Sequence, residues 1–213
     1  MNSTRLSIVV SLLSTLAFVQ AAESSARGPF GLQFGMALKD LQRLTLVTKM
    51  QSANTYVIYD PPVPNPAFSW YGLSISPLSG LCSVEGIGKS LVTTGNGVEL
   101  QEAYNGLKAA LTRLYGPPTS VDETYNVPTY MPLEQRPMTW MDQLIGMSRT
   151  FSVSWSSAFG AALPQGTALI TLDALGQRGK IADTYTGEVM LSYRRPNVEV
   201  CWAEREPVDP SGL

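Results

Sequence analysis

The order of hydrophobic patterns along this 213-residue chain restricts it to an α+β fold. Segments in which apolar and polar residues alternate, as in a half-buried strand, come in two groups of three. Each group follows one segment in which leucines recur with helical spacing. Because the strands cluster instead of alternating with helices, a parallel sheet is disfavoured. We therefore predict an antiparallel sheet packed by two helices, in the order of two α-β-β-β units.

The two helices are predicted over residues 37–44 and 97–115. In the longer helix the apolar residues form one stripe, made of Leu100, Tyr104, Leu107, Leu111, Leu114 and Tyr115. Asn96 is the predicted N-cap, and Gly116 is the predicted stop. Gly106 lies in the middle of this helix, where glycine weakens helices, and it predicts tight packing against the sheet.

The remaining segments supply the strands and the loops. Six strands are predicted, over residues 56–59, 68–76, 81–91, 151–155, 168–174 and 188–194. A short helix is predicted over 140–147. Two Pro-rich segments, 61–66 and 116–137, are predicted to be irregular, the second as a long surface excursion.

The first 21 residues predict export. Arg5 precedes an apolar stretch over 6–19, and Val19-Gln20-Ala21 has the small residues of a signal-peptide cleavage site. The apolar stretch is shorter than the about 20 residues that a membrane span needs. We therefore predict a signal peptide over 1–21 and a single mature α+β domain over 22–213. The mature protein is predicted to be periplasmic or secreted, without membrane insertion after cleavage.

Cys82 and Cys201 are the only two cysteines. In an oxidising compartment an even pair most simply forms one disulfide, and no C-x-x-C redox motif is present. A disulfide between these residues would close a loop of roughly 120 residues, and a bridge of this span stabilises a protein by about 4–5 kcal/mol in the chain-entropy model.

Composition excludes some functions. The chain has no histidine, which removes the commonest general base and the commonest metal ligand. Its formal charge is −2 and it has no basic cluster, which disfavours nucleic-acid binding. We predict no metal and no cofactor.

Catalytic motifs are incomplete. G-I-G-K-S at 86–90 ends like a phosphate-binding loop but lacks the first glycine and a following helix. The remaining catalytic options are a serine paired in space with Lys89 or Lys180, and the carboxylates Asp173 and Glu188 on strands that are predicted to be neighbours.

Aromatic residues near the Pro-rich segments are the predicted binding residues. Trp70 and Tyr71 follow the first segment, and Tyr125, Tyr130 and Trp140 lie in or near the second. Rings on such loops can anchor an interface with another protein. The alternative is that they fold down to cover the sheet, as large rings usually do.

Three motifs carry a resemblance to known proteins. They are G-P-F-G-L-x-F-G-M-x-L at 28–38, L-x-x-L-Y-G-P-P at 111–118 and L-S-Y-R-R-P-N-V-E-V-C at 191–201. Together they resemble an uncharacterised family of exported bacterial periplasmic proteins. The glycine-flanked G-M is also similar to the opening of domains in the SmpA and beta-lactamase-inhibitor-protein group, in which helices pack on an antiparallel sheet. The second resemblance implies a binding role, and neither supplies catalytic residues.

These observations predict an exported, non-enzymatic binding protein of the bacterial envelope whose partner is another protein. An envelope hydrolase with a Ser-Lys or paired-carboxylate site is one alternative. An accessory factor in envelope assembly, or an immunity protein, is another. The residues leave the oligomeric state open.

Overall fold

The computed structural model describes residues 28–52, 54–125, 139–181 and 184–204. The predicted signal peptide at 1–21 lies outside these ranges. So do Tyr130 and residues 126–137 of the predicted Pro-rich excursion.

Four helices and nine strands occur within the described ranges. The helices are α1 (Leu38–Leu44), α2 (Val98–Tyr115), α3 (Trp140–Ile145) and α4 (Val198–Ala203). The first five strands are β1 (Thr48–Lys49), β2 (Thr55–Ile58), β3 (Phe68–Ser76), β4 (Gly80–Gly88) and β5 (Leu91–Thr93). The other four are β6 (Ser120–Asp122), β7 (Ser152–Ser156), β8 (Leu169–Arg178) and β9 (Tyr185–Arg194). The predicted α+β class is confirmed.

The strands form one antiparallel sheet in the order β1-β2-β3-β4-β9-β8-β7-β6, and β5 pairs with β9 as well. Two meanders, β2-β3-β4 and β7-β8-β9, meet through their last strands. The first meander follows α1 and the second follows α2, which is the connectivity expected of two α-β-β-β units. The edge strands β1 and β6 were not predicted, and β6 lies in the segment that was predicted to be irregular.

Helices α2 and α3 pack on one face of the sheet, where two glycines allow close approach. A Cβ at Gly187 of β9 would lie 2.5 Å from a methyl of Leu100 in α2. A Cβ at Gly176 of β8 would lie 3.0 Å from Met141 in α3. The apolar residues of the strands alternate onto this face, so the core lies between it and the helices.

Two predictions about α2 are wrong. Gly106 does not contact the sheet, because a Cβ there would have no atom within 4 Å. The N-cap is Gly97 in the left-handed region and not Asn96. The side chain of Glu99 instead accepts a hydrogen bond from the Thr93 hydroxyl, which links the start of the helix to β5.

Replacing Gly106 by alanine is expected to raise the free energy of unfolding by about 1 kcal/mol, because the helix interior is stabilised and no contact is strained. Urea denaturation measures this difference. Gly187→Ala is the contrasting variant and is expected to lower stability, since the new methyl would overlap Leu100. A loss of stability in Gly106→Ala would contradict the exposed placement of this residue.

The other face of the sheet is polar over its central strands. The register places Glu85, Ser192, Thr171, Ser154 and Ser120 directly opposite one another across five strands. At one end α4 packs against β3 and β4. The sulfurs of Cys82 in β4 and Cys201 in α4 lie within bonding distance, with Cα atoms 6.1 Å apart, which confirms the predicted disulfide.

None of the helices in the described part of the chain has the length and apolar content to cross a membrane.

Candidate functional site

The predicted binding aromatics do not come together on one surface. Trp70 and Tyr71 are adjacent in β3, so their side chains point to opposite faces of the sheet. Trp70 is half-buried on the polar face, where its ring and the Glu85 carboxylate both approach Gly72. Tyr130 lies outside the described residues.

Tyr71 is a core residue, which corrects its assignment as an interface anchor. Only 1% of its surface is exposed. Its hydroxyl accepts a hydrogen bond from the backbone N–H of Asn65 at 2.9 Å and donates one to the carbonyl of the same residue at 3.3 Å. Tyr71 therefore holds the first Pro-rich segment in place and offers no contact area to a partner.

Tyr125 and Trp140 both lie near the side chain of Arg149. The guanidinium carbon is 5.0 Å from the Tyr125 ring centroid and 6.0 Å from that of Trp140. Two nitrogens of Arg149 also donate to the side-chain oxygen of Gln143. Trp140 is half-buried and packs edge-on against Phe151, with centroids 5.3 Å apart. Trp140 therefore packs against the sheet, whereas Tyr125 contacts Arg149 and remains 43% exposed.

A pocket of about 570 Å³ lies on the helical side of the sheet, beside the first Pro-rich segment. Its walls come from residues 28–30, 63–66 and 162–164, from Leu114 and Tyr115 at the end of α2, and from Tyr193 of β9. This volume falls within the range of about 300 to 1,000 Å³ that is usual for ligand pockets. We take this pocket as the candidate functional site.

Phe30 in the pocket wall has a strained backbone. Its φ of 56° lies in the left-handed region, which a bulky residue rarely adopts. The ring is held by edge-on contacts with Phe68, Tyr71 and Tyr193, at centroid distances of 5.6, 4.6 and 5.6 Å. Strain of this kind persists only where surrounding contacts impose it, and it concentrates at functional sites.

The first Pro-rich segment is fixed against this strained turn. The N–H of Val63 donates to the carbonyl of Phe30 at 3.0 Å. Gly31 has a φ of 78°, and a Cβ there would meet Val63 and Pro62 at about 3 Å, so the close approach requires glycine. Prolines at 29, 64, 66 and 164 further restrict the backbone of the walls. The pocket is therefore preformed.

Two tyrosine hydroxyls meet at the pocket. Burial raises the pKa of both Tyr115 and Tyr193 above the ordinary value, and the two hydroxyls are hydrogen-bonded to each other. The bond lowers the pKa of Tyr115 and raises that of Tyr193, but in both residues the effect of burial is larger.

The end of α2 is positioned by Trp155 of β7. The indole N–H donates to the carbonyl of Gly116 at 2.9 Å, and the ring is fully buried. Gly116 ends the helix with a φ of 81°. Because Leu114 and Tyr115 directly precede this residue, the contact fixes their place in the pocket wall.

The described lining contains no Asp, Glu, Lys or Arg. Its polar groups are the two tyrosine hydroxyls, the side chain of Asn65 and backbone amides. The side-chain oxygen of Asn65 accepts a hydrogen bond from the N–H of Ala67, which directs the oxygen inward to the loop. The arrangement suits an uncharged ligand that is mostly apolar.

The predicted catalytic groups lie elsewhere. Asp173 and Glu188 are diagonal neighbours on the polar face, and Asp173 accepts a hydrogen bond from Ser152 at 2.5 Å. A hollow of about 130 Å³ beside Glu188 has no described contribution from Asp173. Lys89 and Lys180 are both exposed.

Glu85 is a carboxylate that the sequence analysis did not single out. Burial raises its pKa, Arg194 opposes part of the rise, and Asp173 adds to it. Nearby, the hydroxyls of Ser83 and Ser192 are buried with no hydrogen-bond partner among the described residues. Bound water ordinarily satisfies such groups. Within the same part of the chain, no three potential metal ligands lie together.

Sequence reasoning missed the pocket residues Phe30, Tyr115 and Tyr193. Each lies in one of the three motifs on which the family resemblance rests, at 28–38, 111–118 and 191–201. The three motifs were recognised in the sequence, but they were interpreted as structural and not as parts of a ligand site. Only the fold brings them to one place.

The fold and the pocket together define a class, an α+β protein with a preformed, uncharged aromatic pocket beside its sheet. Comparison with family models, curated proteins and solved structures found no match to this chain.

Proposed function

We propose that this chain is an exported binding protein without catalytic activity, and that its ligand occupies the pocket between Phe30, Tyr115 and Tyr193. The observation that carries the proposal is the pocket itself, which is preformed, largely apolar and free of charged side chains in its described lining. Export is supported by the signal-like first 21 residues and by the disulfide.

A hydrolase has less support. Its paired carboxylates would need a shared concave site, whereas the hollow beside Glu188 has a volume of only about 130 Å³ and no described contribution from Asp173. An assembly factor or an immunity protein would also use a binding site, so these two alternatives differ from our proposal only in the identity of the partner.

The neutral, apolar dye Nile red, which carries a carbonyl acceptor, is the first test. The mature protein from Ala22 onward is expected to bind one equivalent with a blue shift in emission. Ala162→Trp places an indole in the pocket wall and is expected to weaken binding by about tenfold or more. Ala109→Trp is the matched control, since Ala109 is exposed on α2 outside the pocket, and its affinity is expected to equal that of the wild type.

The pH dependence provides a second criterion. With no titrating side chain in the described lining apart from tyrosines of raised pKa, dye affinity is expected to be constant from about pH 5 to pH 9. Equal loss of binding in both tryptophan variants, or no saturable binding by the wild type, would refute the pocket as a ligand site.

A further inference from the structure

We infer that helix α4 is a strap controlled by the redox state of the Cys82–Cys201 bridge. The strap opens locally in the folded protein, a dithiol then reduces the bridge, and the reduced strap leaves the sheet. The inference goes beyond the proposed function and does not depend on the pocket, whose described lining contains no residue of α4. It is drawn from the small number of contacts that hold this helix.

Helix α4 is weak by itself. It has six residues, and helices this short are not stable in water without tertiary contacts. Among the described residues no side chain caps its N-terminus, and Cys201 is the single buried residue of the helix. Val200 and Trp202 are exposed, so the helix buries little apolar surface apart from the half-cystine. Its attachment therefore depends on the bridge and on polar contacts.

The polar contacts lie at the C-terminal end of the helix. The guanidinium carbon of Arg194 is 5.4 Å from the ring centroid of Trp202, and an exposed cation–π contact of this kind is weak. Both carboxylate oxygens of Glu204 accept hydrogen bonds, from the hydroxyls of Ser76 and Ser79 and from the Ser79 N–H at 2.9 Å. We call these three residues the carboxylate clasp. The hydrogen bonds of the clasp, that from Ser76 first, lower the pKa of Glu204.

The bridge is closed to reductants while α4 is docked. Cys82 and Cys201 are only 1% and 2% exposed, so a thiolate reaches a sulfur only after an opening of the structure. Local opening breaks the clasp and the contact of Trp202, whereas global unfolding breaks the whole core. The local opening therefore requires much less free energy.

Reduction follows ordinary thiol–disulfide exchange. A thiolate of the dithiol attacks one cysteine sulfur, the S–S bond breaks, and the other cysteine leaves as a thiolate. The second thiol of the reagent then displaces the first cysteine from the mixed disulfide. The dithiol loses two electrons and becomes a cyclic disulfide, and each cysteine ends as a thiol.

Loss of the bridge releases the strap and leaves the sheet folded. The clasp and one ring contact are then the remaining side-chain contacts of a helix that is not stable alone. Strand β4 stays paired with β3 and with β9, so the sheet does not need α4. Detachment opens the Ser76 hydroxyl and the guanidinium of Arg194 to solvent.

The rate of reduction by excess dithiothreitol, followed by mass spectrometry of alkylated thiols, tests the local opening. The wild-type rate is expected to be nearly constant in urea below the unfolding transition, because local opening exposes little surface. Trp155→Phe weakens the core in β7, three strands from β4, and is expected to be reduced at the wild-type rate. A rate that rises steeply with urea, or in Trp155→Phe in proportion to its lost stability, would overturn the local opening.

The clasp is tested by the same measurement. Glu204→Gln removes the charge that the clasp holds and is expected to be reduced about fivefold faster. Glu102→Gln is the matched control, since it removes a charge that is exposed on α2, and it is expected to be reduced at the wild-type rate. Equal rates in these two variants would refute the clasp as the closure of the strap.

Hydrogen exchange tests the release. The N–H groups of Val200 and Cys201 donate to the carbonyl of Asn197 within the oxidised strap. In the reduced wild type they are expected to exchange at least about tenfold faster, while β4 and β9 keep their protection. Unchanged protection of α4 would refute its release. Loss of protection in β4 and β9 as well would show that reduction unfolds the domain, which equally refutes the strap.

Discussion

Replacing Cys82 and Cys201 together by alanine is expected to lower the free energy of unfolding by about 4–5 kcal/mol. The bridge joins residues 119 positions apart, so it removes a large part of the conformational freedom of the unfolded chain. It also fixes α4 to β4, because Cys201 lies in α4, Cys82 lies in β4, and both are buried. Domains of this kind are stable by about 5–15 kcal/mol, so the change is a large fraction of the total.

Equilibrium denaturation in urea measures this loss, and reduction of the wild type by dithiothreitol is expected to produce the same shift. The described pocket lining includes neither cysteine and no residue of α4, so dye affinity well below the unfolding transition is expected to be retained. A stability loss below 1 kcal/mol in the double variant would show that the bridge does not restrict the unfolded chain as the entropy model requires.

Trp155→Ala is expected to lower the free energy of unfolding by about 3–5 kcal/mol, because it removes a fully buried indole and leaves a cavity. Trp155→Phe is the milder variant, which keeps an aromatic ring but leaves the carbonyl of Gly116 without its donor. Phe159→Ala is the matched control, since this ring is 80% exposed, and its effect is expected to stay within about 0.5 kcal/mol.

Thermal and urea unfolding measure these differences, and Nile red titration of Trp155→Phe adds a functional readout. The affinity of this variant is expected to fall because the end of α2 is no longer tied to β7, so that Leu114 and Tyr115 are less firmly placed. If Trp155→Phe loses stability but binds the dye as tightly as the wild type, the connection between this tryptophan and the pocket is wrong.

Elements with strong local patterns could be predicted from the sequence. The strand over Phe68–Ser76 has the predicted bounds, because Tyr71, Leu73 and Ile75 alternate with less buried residues, and α2 begins one residue later than predicted. The short strands β1 and β6 escaped prediction because two or three residues carry too little pattern, and their pairing depends on a neighbouring strand. Helix α4 was not predicted either, because it has only six residues and it is joined to the sheet by a disulfide to a cysteine far away in the chain.

The candidate site was predictable only in part. The first Pro-rich segment was correctly predicted to be irregular, and residues 63–66 form one wall of the pocket. Trp70 and Tyr71 were chosen because they are aromatic and follow that segment. Strand alternation, however, sends one ring to the polar face and the other into the core. Proximity along the chain was therefore a poor guide to shared location.

The sequence alone determined the α+β class, the cysteine pair and the order of the principal helices and strands, because each rests on local periodicity or on composition. Only the tertiary structure decided which rings share a surface. Antiparallel pairing of β4 with β9 and the packing of α2 across the sheet bring Phe30, Tyr115 and Tyr193 together from three distant motifs. Such juxtaposition depends on long-range pairing, which no local pattern encodes.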